Sequence, residues 1–448
     1  MLDPNAALDR LDHAIARAKA LGADAADGVY FGDMSSSVHV RLGELEDIGR
    51  SEAEEIGIRV FIGQRSANVS SSDLSAAALA AAAERAVAMA REAPEDRYAG
   101  LAPAERLTKG PWPTLDIDDG TDIPVEALRA RALAAEDAAR AVEGVSNSQG
   151  ASASTGRAVY ALATSHGFAG AYSGSSYGVS ASIIAGSGDA MQRDYAYHSA
   201  RHDADLETPE TVGRLAGERA VSRLSPAKLA TGAMPVVFDP RVAGSLLGHF
   251  AGAISGSAIT RGTSFLKDSL GQEIFPRGLS IVDDPLRARG LRSRPFDGEG
   301  LPTSRTRLVD SGRLTGWLLD SASARQLGSS PSGHASRGVS GPPGVSTSNL
   351  SMEAGTLSRS ALIADIRRGV LVTELIGQGV NVVTGDYSRG AAGFLIEDGE
   401  ITGAVAEITV AGNLKSMFLN LTPADDLVFR YAVNAPTLRI EGMTVAGA

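Results

Sequence analysis

A chain of 448 residues, 43% hydrophobic and 21% charged, is long enough for two or three domains with real cores. Its formal net charge of −11 and lack of any basic run exclude a nucleic-acid footprint, which needs clustered Lys and Arg. With no cysteine there is no disulfide framework, no thiolate metal ligand and no Cys nucleophile.

The opening Met1-Leu2-Asp3-Pro4-Asn5 has neither a basic nor an apolar signal region, so a cytoplasmic protein is expected. Asp3 caps a first helix, Pro4 suits its first position, and Leu8, Leu11, Ile15 and Ala18 recur at helical spacing before Gly22 ends it. Strand signals follow at 28–31, 36–42 and 56–62. Asp73 reads as the cap of an Ala-rich helix over 74–93, stopped by Pro94. A Pro- and Asp-rich connector over 94–121 leads to a helix over 124–142. Residues 143–205 alternate small polar and apolar residues, as an antiparallel meander does. Thr208-Pro209-Glu210 opens another helix, ending near Leu224.

A boundary in the Ser-, Pro- and Gly-containing stretch 225–233 divides an N-terminal domain, 1–228, from a C-terminal one, 229–448. A short strand over 235–238 precedes Asp239-Pro240, which cap and open an apolar helix. Beyond residue 300 the pattern is mostly β, with hairpin turns at Asp310-Ser311-Gly312 and Asp398-Gly399. Residues 329–348 read as a long loop. The fold class is therefore α+β: an N-terminal α/β-sheet domain, then a largely antiparallel β domain.

Gly244, Gly248, Gly252 and Gly256 recur every fourth residue and would stack on one helix face. Each interior glycine costs roughly 1 kcal/mol relative to Ala. Tight helix-to-sheet packing accounts for such a stripe most simply; a channel wall approached by an extended peptide is the functional alternative. A membrane span is rejected, because the 18 uncharged residues over 242–259 include His249, three serines and the four glycines.

Leu246-Leu247-Gly248-His249-Phe250-Ala251-Gly252-Ala253 is similar to the place where the TldD branch of the TldD/PmbA metallopeptidase family carries H-E-x-x-x-H. Carried over by position, Gly248 and Ala253 replace the two zinc-binding histidines, and His249 replaces the general-base glutamate. The branch also completes its site with a late cysteine, which this chain lacks. The run LVTELIGQGVNVVTGDYSRGAAGF, residues 371–394, resembles the PmbA (TldE) signature. So do Ser264-Phe265-Leu266, Asp268-Ser269-Leu270-Gly271, Phe296-Asp297-Gly298-Glu299-Gly300 and EITVAGNL at 407–414. The resemblance implies a two-domain fold and a TldD–TldE heteromer that degrades unfolded peptides. In it the zinc belongs to the TldD-like partner and this chain holds no cofactor and no catalytic residue. It also implies roles in peptide-antibiotic maturation and antitoxin turnover, and the older label of a modulator of DNA gyrase. A homodimer is expected when the partner is missing, with no nucleic-acid or membrane partner.

Apart from the resemblance, Asn381, Thr384, Asp386, Ser388 and Arg389 crowd polar groups among Gly385, Gly390 and Gly393. Such a stretch reads as a turn satisfying its own backbone, or as a surface for a peptide or partner subunit. Gly252, Asn381, Gly385, Asp386, Ser388 and Arg389 are the candidate contacts. His198 and His202 sit four apart but on strand-like alternation, about 13 Å apart at 3.3 Å per residue, too far for one zinc. Ser176 fits G-x-S-x-G, although strand rather than helix follows it, and Ser225-Pro226-Ala227-Lys228 reads as a loop. A serine hydrolase using Ser176 and a homomeric peptide-binding protein are the alternatives to a metal-free peptidase subunit.

Overall fold

The structure is a computed structural model and describes residues 1–447. Its first half is one sheet of long strands with four helices on a single face. Helix α1 (Pro4–Ala20) starts where Asp3 accepts from the amides of Asn5 at 2.9 Å and Ala6 at 3.0 Å. Strands β1 (Ala25–Arg41), β2 (Glu44–Ile62) and β3 (Arg65–Ser71) follow, then α2 (Ala76–Glu92) and α3 (Val125–Arg140). Strands β4 (Val145–Thr164), β5 (Ala169–Ala185) and β6 (Gln192–Ala200) complete the sheet, and α4 (Pro209–Ser222) completes the helices. The order is β3-β2-β1-β4-β5-β6, antiparallel throughout.

Two local readings need correction. The signals at 28–31 and 36–42 belong to one strand, because Gly32 to Ser35 pair on both edges, with β2 and with β4. The cap of α2 is Ser75, whose hydroxyl accepts from Ala78, while Asp73 accepts the Ser75 amide at 2.9 Å and shapes the turn before it.

Helices α1 and α2 cover Tyr30, Ile56, Ile58, Val60, Val159 and Ala161. Helices α3 and α4 cover Val38, Val40, Ala151, Ala153, Val179 and Ala181 on the same face farther along the strands. The small side chains have a purpose here. A Cβ on Gly217 of α4 would lie 2.7 Å from the Ala139 carbonyl oxygen of α3, so the two helices meet backbone to backbone.

The chain crosses to a second sheet between Ser222 and Gly232. Strand β7 (Gly232–Phe238) leads into α5 (Pro240–Ala253) and the short α6 (Gly256–Thr260). A small sheet contains β8 (Ile281–Asp283), β9 (Thr306–Asp310), β10 (Arg313–Leu314) and, beyond the paired β11 (Ala335–Ser336) and β12 (Gly344–Val345), β13 (Leu350–Met352). Then come β14 (Arg368–Ile376), β15 (Asp386–Glu397), β16 (Glu400–Asn413), β17 (Leu421–Pro423), β18 (Val433–Asn434) and β19 (Leu438–Ala446). The large sheet runs β16-β15-β14-β7-β19-β17, and pairing of β16 with β19 closes it into a ring. Most pairings are antiparallel; β14 with β7 and β13 with β18 are parallel. Both expected hairpin turns form, with positive φ at Ser311 and Gly312 and at Asp398 and Gly399. The fold is α+β.

The halves meet on the sheet face opposite the four helices. Phe296 packs 5.0 Å from Phe168 and 5.0 Å from Trp112 of the connector, beside Val29 and Leu162. The 329–348 loop reaches into this seam, where Arg337 meets Asp27 at 3.1 Å. No described helix is long and apolar enough to cross a membrane, and the uncharged stretch over 242–259 is split between α5 and α6.

Candidate functional site

Helix α5 carries the degenerate motif. Asp239 leaves β7 with extended geometry and accepts from the Arg241 amide at 3.1 Å, while Pro240 opens the helix. Ala243, Leu246, Leu247, Phe250 and Ala253 are buried against the core of the second half. Gly248 and Gly252 occupy the exposed side.

The four glycines do not form one stripe. Helix α5 stops at Ala253, and Gly256 starts α6, where its amide donates to the Leu318 carbonyl at 2.7 Å. Tight packing explains Gly244, whose Cβ would meet the Val433 carbonyl oxygen at 2.9 Å, and Gly256, which abuts Ser323. It does not explain Gly248 or Gly252. Apart from chain neighbours and the backbone of the helix itself, neither has a heavy atom within 4 Å of where a Cβ would be.

The family's zinc does not fit these residues. Gly248 and Ala253 have no side-chain donor, and His249 alone falls short of the roughly three protein ligands a catalytic zinc needs. No group of three or more His, Asp or Glu among the described residues is placed to hold a metal ion.

His249 is half-buried, and its Nε2 has no hydrogen-bond partner. Its ring meets Tyr387 of β15 edge to face, with centroids 6.0 Å apart. Burial and the nearby Arg389 charge lower the imidazole pKa. The Tyr387 hydroxyl is also buried without a partner, and burial pushes its pKa up to about 12. Sequence reasoning passed over Tyr387. The signal was period-two alternation, with Asp386 and Ser388 facing out and Tyr387, Arg389 and Ala391 facing in.

The stretch from Thr384 to Gly393 is not a single turn. Asn381 accepts from the amides of Val383 at 3.0 Å and Thr384 at 3.3 Å, and Thr384 donates to Asp386 at 2.6 Å. Gly385 takes a φ of 84°, and Asn413 donates to Asp386 at 3.0 Å. This part satisfies itself as a turn does. From Asp386 onward the backbone is strand, because β14 and β16 flank it. Ser388 is exposed, and its amide donates to the Gly379 carbonyl at 2.7 Å. Arg389 points to the buried side.

The remaining candidates stay apart. His198 on β6 accepts from the Glu207 amide at 3.0 Å, whereas His202 beyond the strand end contacts the Asp116 carbonyl at 2.9 Å. Ser176 lies mid-strand in β5 opposite Gly156, with no helix after it, so it forms no nucleophile elbow. Ser225 and Lys228 lie in the connection between α4 and β7. One arrangement escaped the sequence altogether: Ser332 Oγ lies 3.0 Å from His334 Nδ1, and His334 Nε2 lies 3.4 Å from Asp283 Oδ2. It resembles a nucleophile relay, yet His334 is 3% exposed, and Ser332 is bound to the Leu319 amide at 2.8 Å and carbonyl at 3.2 Å. Its role is to tie the loop down.

Three domains of one family match the chain: PmbA/TldA metallopeptidase domain 1 at 35–90, the central domain at 118–224 and the C-terminal domain at 231–447. The chain is 38% identical over 442 residues to Metalloprotease PmbA of Escherichia coli O157:H7, covering 98% of this chain and 96% of that protein. It is 40% identical over 413 residues to the Metalloprotease PmbA homolog of Haemophilus influenzae, covering 92% and 90%. Its structure is similar to that of a proposed modulator of DNA gyrase from Bacteroides thetaiotaomicron, with a TM-score of 0.90, 28% identity and 98% of each chain covered. TldE from Thermococcus kodakarensis shares the fold, with a TM-score of 0.86 at 21% identity over 97% of this chain and 99% of that one.

Proposed function

Because the chain belongs to the PmbA/TldA metallopeptidase family and is of its metalloprotease PmbA/TldE type, we propose that it is the metal-free subunit of a TldD–TldE-type heteromeric peptidase that degrades unfolded peptides. One observation carries the reading: the motif positions Gly248 and Ala253 offer no donor atom, in a chain without cysteine. A zinc held by a TldD-like partner would supply the activated water for hydrolysis. The name metalloprotease then describes the assembly.

In this reading the chain's own residues bind and orient. The open side of α5 at Gly248 and Gly252 lets a peptide main chain come close. The self-satisfied turn over 381–386 holds Val382 and Val383 outward, 54% and 52% exposed, as apolar surface for a partner or peptide. The compartment proposed is the cytoplasm, with a homodimer forming when the partner is absent.

The test is to purify the chain alone and with a TldD-type partner, then measure zinc content and peptide hydrolysis. Zinc and hydrolysis are expected only in the pair. Stoichiometric zinc with hydrolysis by this chain alone would overturn the reading.

A further inference from the structure

The junction of α5 with β15 holds a charge that the fold does not answer. Four arginines among the described residues have less than a tenth of their surface exposed: Arg59, Arg223, Arg337 and Arg389. Arg59 and Arg337 share Asp27, and Arg223 contacts Asp194 at 3.3 Å and Glu374 at 2.5 Å. Arg389 is 9% exposed, its Nε has no hydrogen-bond partner, and no described carboxylate lies within ion-pair distance. A guanidinium cannot shed its proton, so an isolated buried one is costly to keep.

Two further groups beside it are also unsatisfied. His249 Nε2 and the Tyr387 hydroxyl are both buried without partners, and their rings touch edge to face. The phenol keeps its proton and can donate. A neutral imidazole protonated at Nε2 can donate as well. The junction therefore presents one cation and two neutral groups able to donate, with no carboxylate among them. Gly248 and Gly252, one residue before His249 and three after, leave the helix surface beside the ring open.

We propose that Arg389, Tyr387 and His249 bind a carboxylate of an extended peptide whose main chain runs beside Gly248 and Gly252. A monoanion cancels the single cation, whereas a phosphate dianion would leave a buried negative charge with no second cation to meet it. The carboxylate comes from the peptide's own C-terminus or from an Asp or Glu side chain. This deepens the peptidase-subunit reading and rests on it only in taking a peptide as the ligand. Binding by the isolated chain can succeed or fail whether or not a zinc-bearing partner joins, so the two failures are distinguishable.

The experiment is fluorescence anisotropy of the full chain with three versions of one labelled, unstructured peptide: free acid, C-terminal amide, and amide with one internal Glu. The free acid or the Glu-containing amide is expected to bind at least tenfold more tightly than the plain amide, and whichever does so identifies the source. Arg389→Gln should abolish that preference, and Arg389→Lys should restore part of it. Tyr387→Phe, which keeps the ring and its packing, should weaken acid binding several-fold more than amide binding, so the test survives if Arg389→Gln does not fold. Equal binding of all three peptides, no binding of any, or a preference that persists in both Arg389→Gln and Tyr387→Phe would overturn the proposal.

Discussion

The seam between the two sheets and the junction of α5 with β15 both bury arginine, and they treat it in opposite ways. At the seam, Asp27 is 3% exposed and accepts from Arg59 at 3.1 Å and from Arg337 at 3.1 Å. Burial alone would raise the Asp27 pKa, but the two guanidiniums outweigh it and hold the carboxyl below its ordinary range. A second knot joins Asp194 of β6 to Arg223, which caps the C-terminus of α4, and to Arg241 of α5, the latter at 2.7 Å. At the junction, the Arg389 charge acts on His249 and Tyr387, and no described carboxylate lies within ion-pair distance of it. Of the four arginines with less than a tenth of their surface exposed among the described residues, three meet a carboxylate. The fourth, Arg389, sits beside the open surface of the motif helix.

Glu299 sharpens the contrast from the acidic side. It is 5% exposed and accepts from the Ser321 amide at 2.8 Å and hydroxyl at 2.7 Å, with no cation bound to it. Burial first, and Asp297 second, push its pKa up to about 7. A carboxyl can escape an unanswered charge by taking a proton. Arginine has no such escape.

The largest expected effect lies at the seam. Asp27→Asn leaves Arg59 and Arg337 buried against a neutral amide, and should cost about 3–5 kcal/mol in chemical denaturation. A loss near zero would break the claim that the seam's charges are structural. Glu299→Gln comes next. The ordinary Glu value is 4.5 and the folded value is about 7, so between them only the folded state holds the proton. The parent should therefore lose stability as pH rises across that window and stay lower above it. The variant lacks that slope and should gain on the order of 3 kcal/mol on the parent between pH 4 and pH 8. Parallel denaturation midpoints for the two proteins over that range would refute the assignment. Smallest is Arg389→Met, which removes no partner's charge and should change stability by no more than about 1 kcal/mol. A loss as large as that of Asp27→Asn would place Arg389 among the structural arginines.

Local chemistry made much of the fold legible. Asp3-Pro4, Thr208-Pro209 and Asp239-Pro240 each start a helix where expected, because cap and N1 residues act within one turn. Asp398-Gly399 makes its hairpin because the pair accepts positive φ. What escaped was set from far away. Strand β1 runs unbroken because two neighbours pair with it, and α5 ends at Ala253 because the Ile254 carbonyl accepts from Leu318 at 3.0 Å and the Gly256 amide donates to Leu318. The stretch over 386–393 read as a turn from its glycines and polar groups, yet flanking strands make it β15.

The amino-acid sequence alone determined what this chain has no atoms to do. Gly248 and Ala253 offer nothing to a metal, and no cysteine exists to complete a site; donor atoms are present in a residue type or they are not. Which charges find partners was decided only in three dimensions. Asp27 meets Arg337 from 310 residues away, and no rule of spacing reaches that far. Arg389 looked like any polar residue of a turn until the strands on either side turned it inward, where desolvation makes an unanswered charge matter.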